Sequence, residues 1–306
     1  MAASEKRKVA LVLGSGGARG LAHIGVIEAL EERGYEITSI SGASIGSVIG
    51  GVYAAGSLPD YKKWILSLDR RKVFGLMDFT ISSHGFIKGE RVIEEMKQFV
   101  SVEHIEDLKI PFSAVAVDIE NQEEVIFSEG NLWNAIRASV AIPSVLTPVM
   151  QDDRILVDGG VVNPLPVNRV KRTEGDLLAA VDLNALVDHP TNPSSNEVAS
   201  DDAEHEQSKF LDSIRERIGD WWPFNGDKEE QQSHVKKNYL GILNASFEMM
   251  QDRVAQLAME QYTPQIFIQV PRKSASTFDF YMGEKLIQMG KDLANEAIDK
   301  YENKGD

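Results

Sequence analysis

Cysteine is absent from the 306 residues. Its absence excludes disulfides, a thiolate nucleophile and Cys-based zinc or iron–sulfur sites. Positive charge is scarce: 32 Lys and Arg stand against 47 Asp and Glu, a net charge of −15. Proteins that bind nucleic acid draw affinity from clustered Lys and Arg, so no nucleic acid is expected as a partner. The same balance disfavours attraction of the whole molecule to anionic lipid, although a local basic patch can still act. Long apolar runs are missing as well. The run at residues 9–13 stops at Gly14, so the charged N-terminus does not read as a signal peptide, and no stretch is long enough to cross a bilayer. A cytoplasmic protein is the expectation. There is no calcium loop of the D-x-D-x-D-G type and no internal repeat; no metal and no cofactor are expected. Nothing in the sequence signals an oligomeric state.

What is present is a core-forming chain, 42% hydrophobic, long enough for one large domain. Residues 9–13 read as a short buried strand ended by glycine. A Gly-rich loop follows at 14–20, then apolar residues at helical spacing (Leu21, Ile24, Ile27, Leu30) up to Gly34 as a C-cap. A strand at 37–40 leads through Gly42, Ser44 and Gly46 into another helix. Strand–helix–strand–helix in that order implies parallel strands joined by crossover helices. Residues 59–100 read as mainly helical with a break at 79–89. Strands are expected at 111–118, 125–127, 155–157, 177–183 and 265–270. Helices are expected at 132–140 and 282–301, and a long core-facing one carries Leu240, Leu243, Phe247, Met250, Val254 and Leu257. Residues 188–237 are polar and read as an insertion, so that 1–306 form one α/β domain with a helix–strand–helix ending at 238–302.

Ser44 sits between strand and helix with Gly42 and Gly46 two residues away on either side. Side chains at those two positions would clash in so tight a turn, which exposes the serine hydroxyl: the nucleophile-elbow pattern. A Gly-rich turn with a capping serine is the plainer reading. The loop at 14–20 is not a dinucleotide fingerprint, because its third glycine would fall on Arg19, and it lacks the Gly-Lys-Ser/Thr ending of a P-loop. Such a loop can instead aim unhindered N–H groups at one point, as an oxyanion hole does. It and Ser44 fall at the C-terminal ends of successive strands, where open α/β sheets place their sites.

A serine nucleophile needs a base. Of the six histidines, His189, His205 and His234 lie in the polar insertion, and His23 sits inside the first helix as a packed or hydrogen-bonded residue. His84 and His104 are no better placed. Asp158 ends an apolar strand before two glycines and is the best carboxylate; Asp118 and Asp182 also end strands.

Three blocks, Gly16-Gly17-Ala18-Arg19-Gly20, Gly42-Ala43-Ser44-Ile45-Gly46 and Asp158-Gly159-Gly160, resemble in order and spacing the signature blocks of the patatin-like phospholipases, in particular bacterial cytosolic members. Arg137-Ala138-Ser139-Val140-Ala141-Ile142-Pro143 is similar to that family's segment before the acid. The match spans residues 8–184; aligned on Gly17 and Gly20, the family's first loop glycine falls on Ser15. The resemblance implies a patatin-type three-layer α/β/α fold around a mostly parallel sheet, and a lipid or acyl-ester substrate. It also implies a Ser44–Asp158 dyad with N–H groups around Gly16, Gly17 and Ala18 as oxyanion donors. Arg19 could meet a lipid phosphate, or pin the loop by a salt bridge, which is the favoured role. A His-assisted esterase of the α/β-hydrolase type, and a non-catalytic regulatory protein that keeps the fold, are the competing readings.

Within the insertion, Phe210, Leu211, Ile214, Ile218, Trp221 and Trp222 fall on one side of a helix. A Trp-ended amphipathic helix suits a lid with transient, peripheral membrane contact; packing onto the body or a partner is the alternative.

Overall fold

The computed structural model describes residues 6–82, 85–187 and 239–304. The chain divides into two units, residues 1–187 with 251–306, and residues 188–250. The first unit holds the sheet and the candidate site.

The apolar run opens as β1 (Arg7–Leu13), and a short 3-10 turn (Gly17–Leu21) leads into α1 (Ala22–Glu32). Gly34 ends that helix at φ +80°, the left-handed conformation a C-cap glycine takes. β2 (Tyr35–Ala43) and α2 (Ile45–Ala54) flank Ser44. α3 (Leu58–Leu66), α4 (Arg70–Leu76) and α5 (Glu90–Lys97) follow, and the break between the last two is a small antiparallel hairpin, β3 (Phe79–Ser82) with β4 (Gly85–Ile87). Then come β5 (Phe112–Asp118), β6 (Glu123–Phe127), α6 (Leu132–Ser139), β7 (Val149–Gln151), β8 (Arg154–Asp158) and β9 (Leu177–Ala185). α7 (Tyr239–Tyr262), β10 (Ile266–Pro271) and α8 (Gly283–Glu302) complete the described elements.

Strands β10, β9, β1, β2 and β5 lie side by side and parallel. β1 alternates with period two: Val9, Leu11 and Leu13 join the large core formed with α1, α2 and α8, while Ala10 and Val12 join Leu165, Val167, Leu178 and Ala180 on the other face. Helical layers therefore cover both faces, as in other parallel sheets. On the second face, Ala255, Ala258 and Met259 of α7 pack against the sheet, whereas Leu257 is 48% exposed. The core-facing stripe expected through Val254 and Leu257 is thus displaced around the helix.

The sheet is not wholly parallel. β6 and β8 both run antiparallel to β5, and β7 pairs antiparallel with β8. β6 pairs with residues 114–118 of β5, so it occupies one edge of that strand. β2 pairs with 112–115 and β8 with 116–118, so both use the other edge, one after the other. They run toward each other and stop head to head.

Candidate active site

That meeting of strand ends builds the site. Ala43 lies opposite Val115 and Asp158 opposite Ala116, the next residue along β5. Ser44, one residue beyond Ala43, therefore reaches the level of Asp158. The expectation that Asp158 shares the sheet edge with Ser44 is met, but by a strand arriving from the opposite direction.

Ser44 has φ 55° and ψ −126°, a strained conformation for a residue with a side chain. The turn closes so tightly that a Cβ on Gly42 would fall 2.4 Å from the Gly46 carbonyl oxygen, and one on Gly46 would fall 2.0 Å from the Leu13 carbonyl oxygen. Hydrogen bonds hold the strained residue. Its N–H donates to Ser139 Oγ at 3.0 Å, and that hydroxyl donates to the Val115 carbonyl at 2.6 Å. The Ser44 carbonyl accepts from the Ser47 hydroxyl at 2.7 Å and the Ser47 N–H at 2.9 Å.

The carboxyl of Asp158 is buried beside it, 5% exposed. Oδ1 accepts from the Gly160 N–H at 2.6 Å; Oδ2 is buried without a hydrogen-bond partner among the described residues. Burial pushes the Asp158 pKa up to about 7, against the opposing pull of Ser44 and the Gly160 N–H. The Asp158 N–H donates to the Ala141 carbonyl at 3.0 Å. The short segment after α6 thus holds both residues, Ser44 through Ser139 and Asp158 through Ala141. Sequence reasoning singled out this segment only by resemblance; a hydroxyl at the end of an otherwise apolar helix face was the available signal. Gly159 and Gly160 are buried in the turn after β8, and the Gly160 carbonyl accepts from Gln251 Nε2 at 2.6 Å.

The Gly-rich loop lies over the ends of β1 and β9. The Gly14 N–H donates to the Val181 carbonyl at 3.1 Å and the Ser15 N–H to the Pro164 carbonyl at 2.9 Å. The N–H groups of Gly16 and Gly17 have no hydrogen-bond partner among the described residues. The Ala18 N–H, expected among the oxyanion donors, is instead bound to the Thr277 carbonyl at 2.8 Å. Gly20 is buried in the turn that follows. Arg19 ties the loop to neighbouring carbonyl and amide oxygens. Nε donates to the Leu183 carbonyl (2.9 Å), Nη1 to the Ala275 carbonyl (2.9 Å) and Nη2 to Asn184 Oδ1 (2.8 Å).

The other candidates are placed elsewhere. His23 is fully buried, with Nε2 3.0 Å from the Gly14 carbonyl, and burial pushes its pKa down to about 4, so it stays neutral and supports the loop. His104 is exposed. His84, His189, His205 and His234, and the stripe Phe210, Leu211, Ile214, Ile218, Trp221 and Trp222, lie outside the described residues. Asp118 accepts from the Asn121 side chain (2.7 Å) and from turn N–H groups, which hold its carboxyl below the usual range. Asp182 accepts the Asn184 N–H at 2.9 Å, and burial raises its pKa. Among the described residues no acidic and histidine cluster could hold a metal ion.

Ser44 opens into a cavity of about 160 Å³. Its walls come from α2 (Ile45, Val48), α3 (Tyr61, Trp64, Ile65), α4 (Val73, Leu76), α5 (Val92, Ile93, Met96), α6 (Ile136) and the loops bearing Val140, Leu146 and Phe278. Among the described residues, no charged one lines it. Such a space admits on the order of ten water-sized groups.

An α/β/α scaffold with a strained serine, a buried carboxylate and an apolar cavity defines a class, the ester hydrolases that act on lipids. Residues 11–170 match the patatin-like phospholipase family. An uncharacterized NTE family protein of Mycobacterium tuberculosis strain H37Rv is 34% identical, over 98% of this chain and 93% of its own length. The Lysophospholipase NTE1 of Coccidioides immitis is 30% identical over 98% of this chain, which spans 18% of that protein. The crystal structure of VipD from Legionella pneumophila superposes with a TM-score of 0.45 at 15% identity, covering 98% of this chain and 68% of that one. The chain belongs to the patatin-like phospholipase family.

Proposed function

We propose that the chain hydrolyses a single-chain lipid ester, of the lysophospholipid kind, with Ser44 as nucleophile and Asp158 as its base. The head-to-head approach of β2 and β8 along β5 is the observation that carries this reading, because it brings the two side chains together at a buried point. Ser44 Oγ attacks the ester carbonyl while Asp158 takes its proton. The oxyanion is met by the N–H groups of Gly16 and Gly17, fixed donors that need no reorganisation. Asp158 then returns the proton to the leaving alcohol, and the acyl group stays on Ser44. A water that gives its proton to Asp158 attacks this acyl-enzyme, and Asp158 passes that proton to the departing Ser44 Oγ as the fatty acid is released.

The uncharged cavity supports a substrate held by its acyl chain, with the head group left outside. The relatives named as lysophospholipases support a lipid with one chain. No helix of the described residues is long and apolar enough to cross a membrane. A hydrolysis panel tests the reading: lysophospholipid, diacyl phospholipid, monoacylglycerol and a short-chain ester, with purified protein and Ser44→Ala. Single-chain lipids should be turned over fastest, with no turnover in the variant. Turnover that survives Ser44→Ala, or none of any ester, would overturn it.

A further inference from the structure

Among the groups that hold the loop bearing the oxyanion donors is the side chain of Asn184, near the end of β9. Its Nδ2 donates to the Ser15 carbonyl at 2.8 Å, and its Oδ1 accepts from Arg19 Nη2 at 2.8 Å. A carbonyl only accepts and a guanidinium only donates, so the chemistry of the two partners dictates which way the amide points. Asn184 is anchored in turn, its own N–H donating to Asp182 Oδ1 at 2.9 Å.

The Ser15 carbonyl and the Gly16 N–H belong to one peptide unit. No peptide bond among the described residues is cis, and in a planar trans unit the C=O and N–H point in opposite directions. Binding the Ser15 carbonyl to Asn184 therefore turns the Gly16 N–H to the opposite side. The preceding unit is fixed at both ends, by His23 on the Gly14 carbonyl (3.0 Å) and by the Ser15 N–H on Pro164 (2.9 Å). The next unit, which bears the Gly16 donor, is held at its carbonyl by Asn184.

We infer that Asn184 is a positioning residue of the oxyanion hole: it locks the 15–16 peptide so that the Gly16 N–H faces the reacting ester, and it ties that peptide to Arg19 at the far end of the loop. The inference rests on the Ser44 reading above. Asn184→Asp tests it, because the variant keeps an acceptor for Arg19 but sets an oxygen against the Ser15 carbonyl. Complete loss of an oxyanion donor costs roughly 10²–10³ in kcat. Misaiming one should cost about 10–100-fold in kcat with KM changed less than about twofold. Labelling of Ser44 by a fluorophosphonate should slow in parallel, and the affinity for a fatty alcohol, which forms no oxyanion, should not change. Unchanged kcat, or a loss confined to KM, in a protein whose parent labels at Ser44 overturns the role of Asn184 and leaves the Ser44 reading standing. A parent that does not label at Ser44 overturns both. Should the variant fail to fold, the parent protein labelled with [15N]glycine gives the answer. The Gly16 amide proton should move downfield when the phosphonyl adduct forms; an unmoved signal overturns the inference.

Discussion

At the scale of single residues, Asp158 sets the pH dependence of the proposed reaction. A base must be ionised to act, and burial has moved the Asp158 pKa to about 7. kcat/KM should therefore rise with pH through about 7 and level off above it. A profile flat from about pH 5.5 to 8.5 would contradict this role. Stability runs the other way. Because the folded-state pKa lies above the unfolded value near 4, the carboxyl is at ease in the fold below that lower value. It destabilises the fold progressively as pH rises through about 7. Asp158→Asn does not titrate, so at pH 8 it should be more stable than the parent by about 1–3 kcal/mol, and near pH 4 the two should melt together. Its activity should fall by roughly 10²–10⁴-fold. Thermal melts at the two pH values check the first expectation; a variant less stable than the parent at pH 8 would contradict it. A gain in stability with a loss of activity is the usual mark of a functional residue that the fold carries at a cost.

At the scale of elements, the strand–turn–helix units lie open in the sequence because their signals are local. Gly42 and Gly46 are demanded by atoms within the same turn or the adjoining strand end, and the apolar periods of β1 and α1 span only a few residues. The direction of β8 is a different matter. It depends on a two-residue hairpin turn in which Asp152 and Asp153 take positive φ, of 50° and 60°. That turn more often announces itself with Asn-Gly or Asp-Gly, so the strand bearing Asp158 could be located but not oriented. The Ala18 N–H and the Arg19 guanidinium find their partners at Thr277, Ala275 and Leu183, far along the chain. No local pattern encodes such pairings, nor the bond from Ser139 to Ser44. The cavity likewise arises only where five helices converge on Ser44. It makes a prediction at this scale. Ile93→Phe on α5 puts a larger side chain into the wall, so the chain-length optimum for lysophospholipid hydrolysis should shift by several carbons toward shorter acyl groups. The rate on a short-chain ester should be retained. An unchanged optimum would mean that the acyl chain lies elsewhere.

At the scale of the whole molecule, charge and chemistry are separated. The net charge of −15 surrounds a cavity whose described lining carries none. A molecule so acidic is repelled by anionic membranes, and salt screens that repulsion over a Debye length of about 8–10 Å. Hydrolysis of a lysophospholipid carried in vesicles should therefore slow as anionic lipid replaces zwitterionic lipid at low ionic strength. The difference should shrink in about 0.5 M salt. Faster turnover on anionic vesicles at low salt would point instead to a local basic patch that steers the protein. The apolar stripe of Phe210, Ile214, Ile218, Trp221 and Trp222 lies outside the described residues, and its lid role stands as a proposal from sequence. All of these expectations presuppose that one hydroxyl does the chemistry. The measurement that tests this most directly is labelling with a fluorophosphonate followed by peptide mass spectrometry. The account predicts one adduct per chain, on Ser44, absent in Ser44→Ala and formed far more slowly in Asp158→Asn; an adduct on another residue, or labelling undiminished in Ser44→Ala, would contradict it.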